Sequence, residues 1–167
     1  IGREVAKRAQ ALKMTVIAYD PFIPAEVGAA MGVEMMSVAE LFTKADVITV
    51  HTPLIPSTTH LINKDSIATM KDGVRLINCA RGGIIDEAAL YDAIVAGKVA
   101  GAALDVFENE PPTESPLLTL DSVIVTPHLG ASTVEAQKNV AISVAYQCRD
   151  VLNGGSAKSA VNADPFR

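Results

Sequence analysis

A chain of 167 residues is long enough for one domain with a full hydrophobic core. Hydrophobic residues make up 49 % of it and charged residues 20 %, which is typical of a globular protein. The net charge of −5, without any block of Lys and Arg, argues against nucleic acid or an anionic membrane as the main partner.

Two further features restrict the class of protein. No apolar run approaches the roughly 18 residues that a membrane helix needs, and no signal peptide is visible. Cys79 and Cys148 have no motif spacing, so we predict reduced thiols in a cytoplasmic protein and no metal site. Ile1 to Val5 already lie in a helical pattern without an initiating methionine, and we interpret the sequence as a fragment that begins inside a folded unit.

Short apolar runs alternate with helical patterns along the chain. The predicted helices cover residues 2–12, 24–31, 37–43, 64–70, 86–96 and 132–153, and two of them start at capping boxes, Ser37 with Glu40 and Ser132 with Glu135. The predicted strands cover residues 16–19, 33–35, 46–50, 74–77, 99–104 and 123–125. These strands lack the alternation of apolar and polar residues, so both of their faces are buried. That pattern is typical of an α/β fold with a parallel, doubly wound sheet.

The stretch from Asn78 to Asp86 joins a predicted strand to a predicted helix through Gly82 and Gly83. In open α/β sheets, ligands bind outside the carboxyl ends of the strands, which places Arg81 where it faces a ligand. The alternative is a surface arginine on an awkward turn. The stretch alone does not decide between these two interpretations.

Gly2 and Asp20 have the order of a dinucleotide site. A Rossmann domain binds the pyrophosphate at a Gly-rich turn before its first helix, and an acid about 20 residues further on binds the adenosine ribose. Only Gly2 of such a turn is present, and Asp20 ends the next predicted strand. The alternative for Asp20 is a turn residue before a proline. The alternation of strands and helices favours the ribose-binding acid, whose charge would repel the 2′-phosphate of NADP.

His128 follows a predicted strand and is the strongest candidate for a general acid or base, because the pKa of histidine lies near neutrality. A lone histidine is more often structural, and His51 and His60 are weaker candidates. Glu108 and Glu110 lie in the loop after the strand that ends at residue 104, where a carboxylate would orient the histidine. The alternative for that loop is a solvated acidic segment.

Four motifs in this order resemble the D-isomer-specific 2-hydroxyacid dehydrogenases. They are Asn78-Cys79-Ala80-Arg81-Gly82-Gly83, Ala103-Leu104-Asp105-Val106-Phe107, Glu110-Pro111 and Pro127-His128-Leu129-Gly130-Ala131-Ser132-Thr133. The resemblance covers essentially the whole chain. It implies a Rossmann fold that lacks its first strand and the first glycines of its fingerprint.

The resemblance also implies roles for individual residues. Arg81 would hold the substrate carboxylate and carbonyl oxygen, His128 would transfer the proton of the hydroxyl group, and Glu110, which directly precedes a proline, would pair with His128. Cys79 would be a packing contact and not a nucleophile. The positions that match cofactor contacts for NAD are Ile1, Gly2, Asp20, Thr52, Cys79, Ala80, Arg81, Asp105, His128 and Gly130.

The resemblance finally implies a division of the chain and a reaction. Residues 1–131 would form the NAD-binding domain, 132–153 a long crossover helix, and 154–167 the start of a return segment to a substrate domain. Thr133 to Gln137 look most like the branch that oxidises 3-phosphoglycerate to 3-phosphohydroxypyruvate, the first step of serine biosynthesis. The alternatives are a glyoxylate, hydroxypyruvate or lactate enzyme of the family, or an NAD-binding module like the corepressors that keep this fold. The expected partners are a small 2-hydroxy or 2-oxo acid and further copies of the chain, as a homodimer or homotetramer.

Overall fold

A computed structural model describes residues 1–156 and 159–160. The chain divides into two compact units, Ile1–Pro127 and His128–Arg167. The predicted division at residues 131 and 153 stays a prediction, and part of the predicted return segment lies outside the described residues. No helix in the described ranges is long and apolar enough to cross a membrane.

The first unit alternates helices with parallel strands, as the sequence predicts. Its helices are α1 (Gly2–Ala11), α2 (Ala25–Ala30), α3 (Val38–Lys44), α4 (Lys64–Thr69) and α5 (Glu87–Val95), with a short 3₁₀ helix at Pro116–Thr119. Its strands are β1 (Ile17–Ala18), β2 (Glu34–Met35), β3 (Val47–Val50), β4 (Val74–Asn78), β5 (Val99–Leu104) and β6 (Val123–Val125). The 3₁₀ helix has no counterpart in the predicted elements.

Among the described residues, every strand pair is parallel, and the strands form two sheets. One sheet pairs β1 with β2, and the other has the order β3-β4-β5-β6. The central strands β4 and β5 carry the core, with Val74, Leu76 and Val99 at most 1 % exposed. Leu90 on α5 and Ile67 on α4 pack into the same cluster. Parallel order aligns the carboxyl ends of β3 to β6 along one edge of this sheet, where Thr52, Arg81 and Asp105 lie.

The second unit contains the long helix α6 (Val134–Leu152). The predicted capping box at Ser132 and Glu135 is wrong. Thr133 is the N-cap, and its side chain accepts a hydrogen bond from the backbone N–H of Ala136. The Ser132 hydroxyl instead lies 3.4 Å from the backbone oxygen of His128. Two adjacent hydroxyl residues offer the same local chemistry, so the sequence leaves the starting residue of the helix open by one position. The other predicted capping box, at Ser37 and Glu40, is confirmed.

Candidate active site

The turn that carries Arg81 is held by a buried side chain at the end of β4. Asn78 is 2 % exposed, and its amide nitrogen donates to the backbone oxygen of Arg81 at 2.8 Å. The backbone N–H of Ala80 donates to the Asn78 side-chain oxygen at 3.0 Å. Both ends of one amide therefore close the turn. Sequence analysis did not assign Asn78 a role, although Asn at a strand end is a known signal for such side-chain-closed turns.

Arg81 itself is exposed at the carboxyl edge of the sheet. Its Nη1 donates to the backbone oxygen of Ala80 at 2.6 Å. A guanidinium has five N–H donors in a planar fork, so this bond leaves most of its donor capacity for a carboxylate. The geometry suits the predicted carboxylate-binding role of Arg81.

Gly82 brings the Arg81 turn into direct backbone contact with the loop that carries Glu110. A Cβ added at Gly82 would lie 1.9 Å from the backbone oxygen of Phe107, far inside any permitted contact. In the same loop, the backbone N–H of Phe107 donates to Oε1 of Glu110 at 3.1 Å. The sequence separates Arg81 and Glu110 by 29 positions (110 − 81), and the fold places their loops against each other.

Asp105 and Cys79 lie at the same edge. Asp105 is 5 % exposed, accepts a hydrogen bond from the Thr126 hydroxyl, and donates its backbone N–H to Asn78 at 2.9 Å. Partial burial of the Cys79 sulfur, together with the charge of Asp105, raises the pKa of this thiol, although the residue as a whole is exposed. A thiol with a raised pKa is a poor nucleophile, which agrees with the packing role predicted for Cys79.

The predicted cofactor positions lie at two other strand ends and at the start of a helix. The Thr52 hydroxyl, just after β3, is buried and has no hydrogen-bond partner among the described residues. Gly2 begins α1, and a Cβ added there would lie 3.4 Å from the imidazole of His51. Asp20 is exposed after β1, and its Oδ1 accepts the backbone N–H of Phe22 at 2.8 Å. Asp20 is therefore a turn residue. Its second oxygen, Oδ2, remains available for the predicted ribose contact.

These residues fit a dinucleotide. A buried hydroxyl without a partner is costly unless a ligand completes its hydrogen bonding, and Thr52 is such a group. The N-terminus of α1 beside the end of β3 provides the helix dipole that favours phosphate. Ile1, at the N-cap of α1, is 93 % exposed. It can contact the cofactor as predicted only if the cofactor lies across the N-terminus of this helix.

His128 and Gly130 belong to the second unit. His128 is its first residue and adopts a left-handed backbone, with φ of 56°. The predicted pairing of His128 with Glu110 stays a prediction. Within the first unit, the acid–histidine pair that forms is between Glu108 and His60, with Oε1 and Nε2 3.0 Å apart.

Comparison with known proteins defines the class of protein. Residues 1–130 match the family described as "D-isomer specific 2-hydroxyacid dehydrogenase, NAD binding domain". The chain belongs to this family, and it carries the NAD-binding domain.

Three similar proteins show the range of the likeness. D-3-phosphoglycerate dehydrogenase of Methanocaldococcus jannaschii is 55 % identical over 97 % of this chain and 31 % of its own length. A glyoxylate reductase from Paecilomyes thermophila superposes with a TM-score of 0.83 at 42 % identity, over 90 % of this chain and 45 % of its own. D-lactate dehydrogenase from Aquifex aeolicus, crystallised with NAD and lactic acid, superposes with a TM-score of 0.84 at 35 % identity, over 92 % and 51 %. The chain thus spans about a third of the length of the curated relative and about half of the two solved chains.

Proposed function

We propose that the full-length protein is an NAD-dependent dehydrogenase that oxidises 3-phosphoglycerate to 3-phosphohydroxypyruvate, the first step of serine biosynthesis. The observation that carries this proposal is the 55 % identity to a D-3-phosphoglycerate dehydrogenase across nearly the whole chain. The contact between the Arg81 turn and the Glu110 loop supports it, since both loops lie at the carboxyl edge of the sheet. Ligands of such sheets bind at this edge.

Each of the three proposed catalytic residues has one task. Arg81 binds the carboxylate and the C2 oxygen of the substrate through parallel N–H donors, which fixes the orientation of C2. His128 accepts the proton of the C2 hydroxyl as the alcohol is oxidised and returns it in the reverse direction. Glu110 pairs with His128 and orients its imidazole for proton transfer.

The cofactor site uses the remaining predicted residues. NAD, when bound, supplies the acceptor for the hydride that leaves C2. The N-terminus of α1 at Ile1 and Gly2 would hold the pyrophosphate, and Asp20 would bind the adenosine ribose. Thr52 would offer its unpartnered hydroxyl, and Asp105 would face the nicotinamide amide. Cys79, Ala80 and Gly130 provide backbone and packing contacts.

A substrate panel tests the reaction. The full-length protein is assayed with NAD and 3-phosphoglycerate, D-lactate or glycerate, and in reverse with NADH and glyoxylate, hydroxypyruvate or pyruvate. We expect the highest kcat/KM for the phosphorylated substrate. A higher value for glyoxylate or pyruvate would assign the protein to a sibling reductase, and NADH binding without any turnover would favour a regulatory module.

Replacing His128 tests its assigned role. His128→Ala should lower kcat by roughly 10²- to 10⁴-fold, the range for loss of a general acid or base. NADH affinity, measured by fluorescence titration, should stay within a factor of about three, which serves as the control for folding of the cofactor site. Unchanged turnover would remove His128 from the mechanism.

Replacing Asp20 tests the ribose contact. Asp20→Ala should lower the ratio of kcat/KM for NAD to that for NADP, because the carboxylate both binds the ribose hydroxyls and repels a 2′-phosphate. Asp72→Ala is the matched control, since Asp72 is also an exposed aspartate but lies before the amino end of β4. An equal ratio in the two variants would contradict the ribose role.

We further propose that the protein works in the cytoplasm as a homodimer or homotetramer. Free Cys79 and Cys148 support a reducing compartment. Exposed apolar side chains on α6, among them Val140, Val144 and Tyr146, support association through this helix. Light scattering on the full-length protein measures the assembly, and a monomer at micromolar concentration would contradict it.

A further inference from the structure

The loop that carries Glu110 is tied at Glu108 to two other parts of the first unit. The Glu108 carboxylate meets the His60 imidazole, with Oε1 and Nε2 3.0 Å apart. The Glu108 backbone N–H donates to Oε1 of Glu87, at the start of α5, at 2.6 Å. The side chain and the backbone of one loop residue are thus held from two directions. We name His60, Glu87 and Glu108 the loop clamp.

His60 is itself fixed to the segment that follows Arg81. Its backbone N–H donates to the backbone oxygen of Gly83 at 2.8 Å, and its backbone oxygen accepts from the Asn63 side chain at 2.9 Å. Its φ of 48° lies in the left-handed region that non-glycine residues rarely adopt. A strained backbone conformation held by bonds on both sides aims the imidazole at Glu108. The same histidine therefore touches the Arg81–Gly83 turn through its backbone and the Glu110 loop through its ring.

Glu87 accepts a hydrogen bond at an electrostatic cost. Burial raises the pKa of its carboxyl group, the Glu108 backbone N–H opposes that rise, and the charges of Glu108 and Asp86 add to it. Burial and two neighbouring acids both disfavour a charged carboxylate at Glu87. The hydrogen bond from the Glu108 N–H offsets part of this cost.

Stability alone does not account for this arrangement. The His60 and Glu108 side chains are 43 % and 36 % exposed, and a pair so exposed contributes little to the free energy of unfolding. The effect on loop position matters more. The contacts of Glu108 lie two residues from Glu110 and one residue from Phe107, and the Phe107 oxygen packs directly on Gly82. Errors of about 1 Å in such loops cost on the order of 10²-fold in rate.

We propose that the loop clamp sets the position of Glu110 relative to the Arg81 turn, so that His60 is a positioning residue of the dehydrogenase reaction. This inference rests on the proposed function. His60 touches neither substrate nor cofactor in this scheme and acts only through Glu108.

The test uses three variants of the full-length protein. His60→Ala removes the imidazole, and His60→Gln keeps an N–H donor that reaches Glu108. Lys71→Ala is the matched control, because it breaks another exposed ion pair, Lys71 Nζ to Asp46 Oδ1 at 2.8 Å, which precedes the amino ends of β3 and β4. Each variant is measured by steady-state kinetics, by thermal unfolding and by deuterium uptake of residues 107–110.

In His60→Ala we expect roughly 10-fold lower kcat, KM for NAD within a factor of two, faster deuterium uptake in residues 107–110 and a nearly unchanged Tm. His60→Gln should recover most of the kcat and the slow uptake, and Lys71→Ala should match the wild type. Unchanged kcat in His60→Ala, unchanged uptake, or an equal loss in His60→Gln would each overturn the proposal. A wild type that turns over no acid of the panel overturns the proposed function instead, and deuterium uptake then decides alone whether His60 holds the loop.

Discussion

The two ends of the four-stranded sheet are built in opposite ways. At the carboxyl end, backbone packs on backbone, with Gly82 against Phe107 and the buried Asn78 amide closing the Arg81 turn. At the amino end, ion pairs join the segments that precede the strands: Lys71 with Asp46, which are both exposed, and the partly buried Lys98 with the exposed Asp72.

Three glycines in the loops show the same contrast, whereas Gly101, inside β5, packs closely on the Ser122 backbone oxygen. A Cβ at Gly82 would overlap backbone atoms, whereas a Cβ at Gly73 or Gly97, near the amino ends, would meet nothing within 4 Å. The difference indicates that the carboxyl end is built to hold loops in fixed positions for a ligand. The loops at the amino end are expected to tolerate amino-acid substitutions better.

The largest expected effect comes from Gly82→Ala. The new methyl group overlaps the Phe107 oxygen, which no side-chain rotation relieves, so the two loops must separate at a cost of about 3 kcal/mol or more. Urea unfolding of the full-length protein measures the loss, and activity should fall with it.

Gly73→Ala is the matched control. Gly73 has φ of +80° and open space around it, so the substitution meets only backbone strain of about 1–2 kcal/mol. Equal losses of stability in the two variants would remove the contrast between the ends of the sheet.

A smaller effect is expected from Asn78→Ala. The substitution leaves the Arg81 oxygen and the Ala80 N–H without their partner, which costs about 1–3 kcal/mol at a buried site. KM for the substrate should rise as the Arg81 turn loosens. Asn153→Ala, at the exposed end of α6, should stay within about 0.5 kcal/mol of the wild type. If Asn78→Ala changed neither the free energy of unfolding nor KM, backbone contacts alone would fix the turn.

The smallest effect is expected at the amino end, from Asp72→Asn. The hydrogen bond and charge of Lys98 lower the pKa of the exposed Asp72 carboxyl group. A carboxyl group with a lowered pKa stabilises the fold fully above its unfolded pKa, and this contribution is lost as the pH falls through the folded pKa. The variant should therefore be slightly less stable than the wild type at neutral pH, and the two should converge in acid. Urea midpoints between pH 7 and about pH 2 test this, since a difference that grows in acid has the wrong sign.

Much of the first unit was predictable because its signals are local. The strand ending near Asn78 and the helix after Asp86 follow from an apolar run, a Gly-Gly turn and an N-cap, and the structure has β4 and α5 there. The Asp86 side chain accepts the Ala89 N–H, as an N-cap residue should. The same reasoning failed at Ser132, where the neighbouring Thr133 caps α6.

The histidines show where local signals stop. Sequence position favoured His128 and made His60 a weaker candidate, yet His60 contacts a carboxylate 48 positions away at Glu108. No spacing rule links two loops that far apart, and only the parallel order of the strands brings their ends to one edge. The partly buried Glu87 was missed for the same reason, because it looks like an ordinary first-turn acid of a helix.

The sequence by itself determined the α/β class, the order of the elements and the family, because periodicity, caps and motifs are carried by neighbouring residues. It also provided Arg81, Asp20, Glu110 and His128 as candidates. Only the tertiary structure decided that the Arg81 turn and the Glu110 loop touch at Gly82, that the Asn78 amide closes the Arg81 turn, and that His60 and Glu87 contact Glu108. Those contacts join residues from different strand ends, and their geometry depends on the packed sheet and not on any single stretch of chain.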